Sequence, residues 1–152
     1  MDKPTDTQNP WDWMADSKDY GIALTAVRNS NCRPETLVRI YRTHSYPDYF
    51  FQALAMNVST PPDLLRDLYR RPRTIQGLNI WFSQNPATPR DVLHDIATRT
   101  TDINVIHGFF KNPQVDCGLI PVLERALASS SSPDESYSRG RLAELRTTHC
   151  RQ

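Results

Sequence analysis

Four histidines (His44, His94, His107, His149) and three cysteines (Cys32, Cys117, Cys150) are the side chains of this chain best suited to chemistry, and none falls at a spacing that chemistry uses. The histidines do not pair at metal-ligand intervals and read as surface or packed residues. The cysteines are odd in number, widely separated and without a CxxC, so they indicate neither a zinc site nor a disulfide framework and read as reduced thiols. HExxH, GxSxG, GxGxxG and a glycine-rich phosphate loop are all missing, and five glycines leave little material for the last two. Asp63 and Asp67, and Asp91 and Asp95, fall at i, i+4, but acids near a helix start favour the positive end of the dipole, and Asp67 can pair with Arg70 or Arg71. The expectation is a protein that is not an enzyme, with no catalytic, cofactor-binding or metal-binding residue to assign.

Arginines and aromatics are the more informative polar and apolar features. Arg42 aligns with Arg70, and Arg71 with Arg99, one helix end above another; with Arg73 they would form a ridge able to grip carboxylates or phosphates through forked hydrogen bonds. The competing reading is that cations near helix C-termini merely offset the dipole. The segments DYFFQALAM, LNIWFSQ and VIHGFFK are apolar on several sides. They offer Phe51, Asn79, Trp81, His107 and Phe110 as the lining of a mixed aromatic and polar groove, against the plainer alternative of core positions.

What would position these groups is an internal repeat. Asn29, Asn57 and Asn85 lie 28 residues apart and Asn112 follows 27 later, each opening a short turn: NSNCRPETLVRIY, NVSTPPDLLRDLY, NPATPRDVLHDIA, NPQVDCGLIPVLE. Aligned on asparagine, Leu37, Leu65, Leu93 and Ile120 share a column, and Ile40, Leu68, Ile96 and Leu123 the column three later, which is helical spacing. Thr60 and Thr88 stand where an N-cap belongs, Pro61 and Pro89 at the first helical position, and Asp63 and Asp91 where a capping box closes. A second helix ends each unit, with columns Ile22, Phe50, Leu78, Val105 and Ala26, Leu54, Phe82, Phe109. Thr74 and Thr101 can cap it, and the asparagine that follows can take the left-handed conformation that stops it. One helix pair cannot bury its own apolar face, so three or more must stack.

The phrases NPATPRDVLHDIA and NVSTPPDLLRDLY resemble the N-P-x-T-P-x-x-V/L-L-x-x-L-A phrase of leucine-rich repeat variant (LRV) proteins, over roughly residues 20 to 127. The resemblance implies a short right-handed α-α superhelix, a solenoid of about four 28-residue helix-pair repeats similar in kind to HEAT and armadillo arrays, with binding as the common role. Two departures stand out. The family's usual repeat is shorter than 28 residues, and the cysteine cluster that holds an iron–sulfur centre in some relatives has no counterpart before Cys32, so no cofactor carries over.

Length and composition fit one all-α domain with tails: 152 residues, 12 prolines against 5 glycines, 38% hydrophobic and 23% charged. Residues 1–28 read as an N-terminal capping segment or degenerate first repeat with Trp11 and Trp13 covering the stack end, 29–127 as the repeats, the last truncated after one helix, and 128–138 as a serine-rich linker. The tail, 139–152, is either a short docking helix or disordered. The formal net charge of +1 conceals ten arginines against six acids between Arg28 and Arg99. No segment is apolar enough for a membrane span or signal peptide, which sets the expectation of a cytoplasmic protein with no membrane and no metal. The function expected is a protein–protein interaction module, by analogy with small bacterial repeat proteins an immunity protein that neutralises a toxin or an adaptor, its partner an acidic-surfaced toxin or effector. The alternative is a HEAT-like nucleic-acid binder using the arginine ridge, which the low net charge disfavours.

Overall fold

The computed structural model describes residues 9–43, 47–71, 77–130 and 135–150, and among them every regular element is a helix. In chain order these are α1 (Pro10–Ala15), α2 (Tyr20–Val27), α3 (Pro34–Thr43), α4 (Tyr49–Met56), α5 (Pro62–Arg70), α6 (Leu78–Gln84), α7 (Arg90–Arg99), α8 (Ile103–Phe110), α9 (Ile120–Ala128) and α10 (Glu135–His149). They form two compact units, Met1–Leu78 and Asn79–Gln152. In the first, α1 packs on α2 and α3, α2 on α4, and α4 on α5; in the second, α9 is the hub against which α7, α8 and α10 pack, and α10 also touches α8.

The apolar columns of the repeat are the core. Leu37, Leu65, Leu93 and Ile120 are buried, as are Ile40, Leu68, Ile96 and Leu123. In the second helices Phe50, Leu78, Val105, Ala26, Leu54, Phe82 and Phe109 are buried, while Ile22 departs from its column at 40% exposed. Burying a side chain of this size stabilises by roughly 1.5–3 kcal/mol each, which is why these columns and not helix propensity hold such short helices.

The turns work differently from the sequence expectation. Thr60 and Thr88 do not cap: α5 and α7 start after Pro61 and Pro89, which occupy the cap positions with extended ψ of 145° and 148° and no side-chain cap bond. The buried threonine hydroxyls instead donate back to the carbonyls of Leu54 and Phe82, both at 2.7 Å. They thereby satisfy an orphan carbonyl at the end of the helix before rather than an N–H of the helix after. Nor do the asparagines turn left-handed. Among the described residues no non-glycine has positive φ, and Asn57 sits at φ −76°, ψ 120°.

Asparagine is required for another reason. In each turn its Oδ1 accepts the N–H two residues on, from Asn31, Ser59, Ala87 and Gln114, at 2.8–2.9 Å. Its Nδ2 reaches one repeat back. Asn57 donates to the carbonyls of Val27 (2.6 Å) and Asn29 (3.0 Å), and Asn112 repeats the pattern on Ser83 (2.9 Å) and Asn85 (3.0 Å). A carboxamide alone offers an acceptor on one side and two donors on the other, so the column admits no other residue without losing a bond.

Two further expectations change. The segment read as a linker over 128–138 begins inside α9 and ends inside α10, with 131–134 outside the described residues. α10 follows α9 and lies against both α9 and α8. Cys117 and Cys150 are not free thiols but a disulfide with Cα atoms 5.1 Å apart, leaving Cys32 as the buried free cysteine. Burial pushes the Cys32 thiol up to about 12, and the neighbouring Asp12 carboxylate adds to the rise.

Candidate functional site

Of the ten side chains expected to meet a partner, the structure brings Phe51 and Arg71 together in the first unit and His107 and Phe110 together in the second. In the first unit, Arg71 follows α5 and lays its guanidinium over the rings of Phe51 (4.9 Å) and Tyr41 (5.6 Å). The two rings meet edge to face at 6.5 Å. Tyr41 Oη donates to Asp67 Oδ2 at 2.5 Å and accepts from Arg71 at 3.4 Å. Burial is the main reason the Tyr41 phenol ionises above its usual range, and the bond to Asp67 reinforces it. The cluster thus has a fixed form: a half-buried aromatic pair, a carboxylate and an exposed arginine, held by stacking rather than by a buried ion pair.

Arg42 and Arg70 sit on the last turns of α3 and α5, which the Tyr41–Asp67 bond brings side by side. Both are exposed, and neither has an ion pair among the described residues. Arg99, in the second unit, is tied to Asp95 at 2.9 Å one turn before it, as an ordinary surface pair. Arg73 lies outside the described residues.

In the second unit, His107 and Phe110 come together on the exposed side of α8, ring centroids 5.6 Å apart. Tyr137 of α10 closes on His107 edge to face at 5.7 Å, Ser138 Oγ lies 2.9 Å from His107 Nε2, and the Arg141 guanidinium stands 6.0 Å from the Phe110 ring. His107, Phe110, Tyr137 and Arg141, with Lys111 and Glu144, line a shallow cavity of about 340 Å³. Asn79 and Trp81, both half-buried on α6, take no part in it.

Tyr41, Tyr137, Ser138 and Arg141 are not marked by the sequence, and Asp67, expected to pair with Arg70 or Arg71, accepts from Tyr41. Tyr41 and Asp67 carried a signal, since both stand on α3 and α5 faces already aligned by the repeat. Tyr137 to Arg141 carried none, because the serine-rich stretch hid the start of α10.

A third polar cluster joins α1 to the turn before α3. Asp12, buried, accepts the Arg33 N–H at 3.0 Å and pairs with the Arg33 guanidinium, while Cys32 Sγ lies 3.8 Å away. Burial alone would raise the Asp12 pKa, but the bonds from Arg33 and Thr36 outweigh it and hold the carboxyl below its usual range. Arg39 and Asp16 add a two-pronged surface pair beside it. Trp13 lines the hollow above these groups, and Asn9 ties the start of α1 to the Asn31 carbonyl at 2.7 Å. No helix among the described residues is long and apolar enough to cross a membrane. No known protein family, curated protein or solved structure matches this chain.

Proposed function

We propose that this chain is a protein–protein interaction module, a short solenoid of stacked helix pairs that holds one partner protein without chemistry. The single observation that supports it most is the Phe51–Tyr41–Arg71 cluster with Arg42 and Arg70 beside it: a preformed aromatic and arginine surface, the composition that carries binding energy in protein interfaces. The repeated asparagine bonds, from Asn57 and from Asn112 each to backbone one repeat earlier, support stacking of like helix pairs as the scaffold. On this reading α10 supplies the second helix of the last pair.

The partner is an acidic-surfaced protein, and an immunity protein or an adaptor in the bacterial cytoplasm is the role that fits a short helical array. Phosphate binding along the ridge fits less well, because Arg99 and Arg71 already engage their own chain's side chains and a nucleic-acid surface needs several uncommitted cations. The test is capture with the purified chain against Arg71→Glu and Phe51→Ala variants of unchanged helical content. Loss of one anchor should weaken a specific partner by about thirty-fold or more. Retention of no protein beyond an unrelated control, or retention indifferent to both substitutions, would refute it. Salt-sensitive binding to duplex or single strands in place of protein would favour the phosphate reading.

A further inference from the structure

α10 is the longest helix among the described residues, fifteen residues, yet it buries only Ser138 and Leu142. The eight-residue α8 buries four. The other ties of α10 to the unit are slight. They include the Ser138–His107 bond, the Tyr137–His107 edge contact, the Arg141 guanidinium 6.0 Å from the Phe110 ring and an Arg146–Glu124 ion pair whose side chains are 53% and 45% exposed. Between α9 and α10 a cavity of about 340 Å³ remains, lined by Leu127 and Ala128 on one side and Leu142, Ala143 and Arg146 on the other.

One covalent tie spans this interface. Cys117 lies in the turn before α9 and Cys150 directly after α10, 33 residues later. The bond therefore joins the outer ends of the α9–α10 hairpin, whose inner ends are already joined by the chain. We propose that the Cys117–Cys150 disulfide is a redox clamp: closed, it holds α10 against α8 and α9, and reduction by a dithiol frees the helix.

The chemistry balances as ordinary thiol–disulfide exchange. Cys117 is exposed and Cys150 half-buried, so an external thiolate attacks Cys117 Sγ; the S–S bond breaks and Cys150 leaves as a thiolate that takes a proton. The second thiolate of the reductant attacks the mixed disulfide and releases Cys117, which is protonated in turn. The reductant ends as its own disulfide and the protein has gained two hydrogens. Cys32, buried in the other unit, takes no part. In an oxidising compartment the clamp is closed, and under a reducing cytoplasmic poise it opens. Opening uncovers His107 and Phe110, which Tyr137, Ser138 and Arg141 otherwise approach.

The test uses the full chain, oxidised with oxidised glutathione and then treated with dithiothreitol. Thiol alkylation under denaturing conditions should find one free thiol before reduction and three after. Amide exchange across Glu135–His149 should accelerate by about a hundred-fold or more, the scale on which a cross-link of this loop length restrains an open chain, while the interiors of α7 and α9 stay protected. Cys150→Ser should behave as the reduced protein, and reduction of the unmutated chain serves where that variant fails to fold. Three outcomes would overturn the clamp: no bond formed under oxidation, α10 exchange unchanged on reduction, or acceleration spread evenly over α7, α8 and α9, which would make the bond a staple of the whole unit.

Discussion

Replacing Asn112 by aspartate changes one NH2 to an oxygen at nearly constant shape and should be worse than deleting the side chain. Asn112 is buried and makes three bonds: Oδ1 accepts from Gln114 N–H at 2.9 Å, and Nδ2 donates to the carbonyls of Ser83 and Asn85. Asn85 O also receives Thr88 N–H at 3.0 Å, so it keeps a partner when Nδ2 is lost; no second donor to Ser83 O stands among the described residues. Asn112→Ala forfeits three bonds at about 1 kcal/mol each, or about 3 kcal/mol, a large part of a domain's stability of roughly 5–15 kcal/mol. Asn112→Asp keeps the Gln114 bond, yet it sets a carboxylate oxygen about 3 Å from two carbonyl oxygens in a buried site. That should cost at least about 1 kcal/mol more than alanine. The repulsion raises the new carboxyl's folded pKa above its unfolded value near 4, so the variant is closest to the parent below that pH and loses stability as pH rises through the raised pKa. Urea denaturation followed by helical circular dichroism at pH 7 and near pH 4.5 measures both effects. An aspartate variant as stable as the alanine variant at pH 7, or one unaffected by acidification relative to the parent, would refute the role assigned to Nδ2.

Other consequences are as direct. Gly108 packs against α6 so closely that an added Cβ would lie 1.9 Å from Ser83 Oγ and 3.1 Å from both Ser83 Cβ and Ile80 O. Gly108→Ala should destabilise by about 1–3 kcal/mol, and Ser83→Ala in the same chain should recover part but not all of that loss, read from the shift in denaturation midpoint. Thr88→Val keeps the shape of a buried residue while removing its bond to Phe82 O, and should cost about 1–2 kcal/mol, whereas a true N-cap threonine would show its loss as fraying at the start of α7 in amide exchange. Asp12 and Asp116 both titrate below the usual carboxylate range. In each, burial pushes up but is outweighed, by bonds from Arg33 and Thr36 at Asp12 and by Arg90 and the Leu119 N–H at Asp116. Such groups contribute stability that is present above the unfolded pKa near 4 and is lost as pH falls through the folded value, so thermal midpoints should be level from pH 7 to about 5 and drop below about 4. Asp116→Asn should shrink that drop; an acid limb of unchanged depth would remove Asp116 from the account.

What the sequence could and could not disclose follows from how each feature is specified. The period of 28, the helix pairs and the buried leucine columns are local and repeated, so four noisy copies reinforce one another: Leu93 in the clearest unit vouches for Leu37 in the poorest. Thr88 was misplaced because an N-cap and a hydroxyl reaching back to the previous helix call for the same residue type at the same step before proline. Only the direction of one hydrogen bond, to Phe82 O at 2.7 Å, tells them apart. The asparagine marks each turn in the sequence, but its two decisive bonds leave the turn and land some 28 residues away on backbone that no local pattern describes.

The Cys117–Cys150 bond was invisible for a related reason. Nothing in 33 residues of spacing brings two sulfurs together unless α10 is known to double back on α9, and the serine-rich stretch argued for a chain that wandered. The candidate surfaces divide along the same line. Arg42 and Arg70 share a column and could be paired by register alone, whereas the stacking of Arg71 on Phe51 joins the end of one helix to the start of another in the preceding unit. The repeat thus fixes where backbone goes, and the departures from it fix which side chains meet. A consensus array built from the 28-residue phrase should accordingly reproduce the helices, as circular dichroism would show. It should not bind any partner that depends on Tyr41, Phe51 and Arg71 together, because no single consensus unit contains all three, and binding by such an array would place recognition in the scaffold instead.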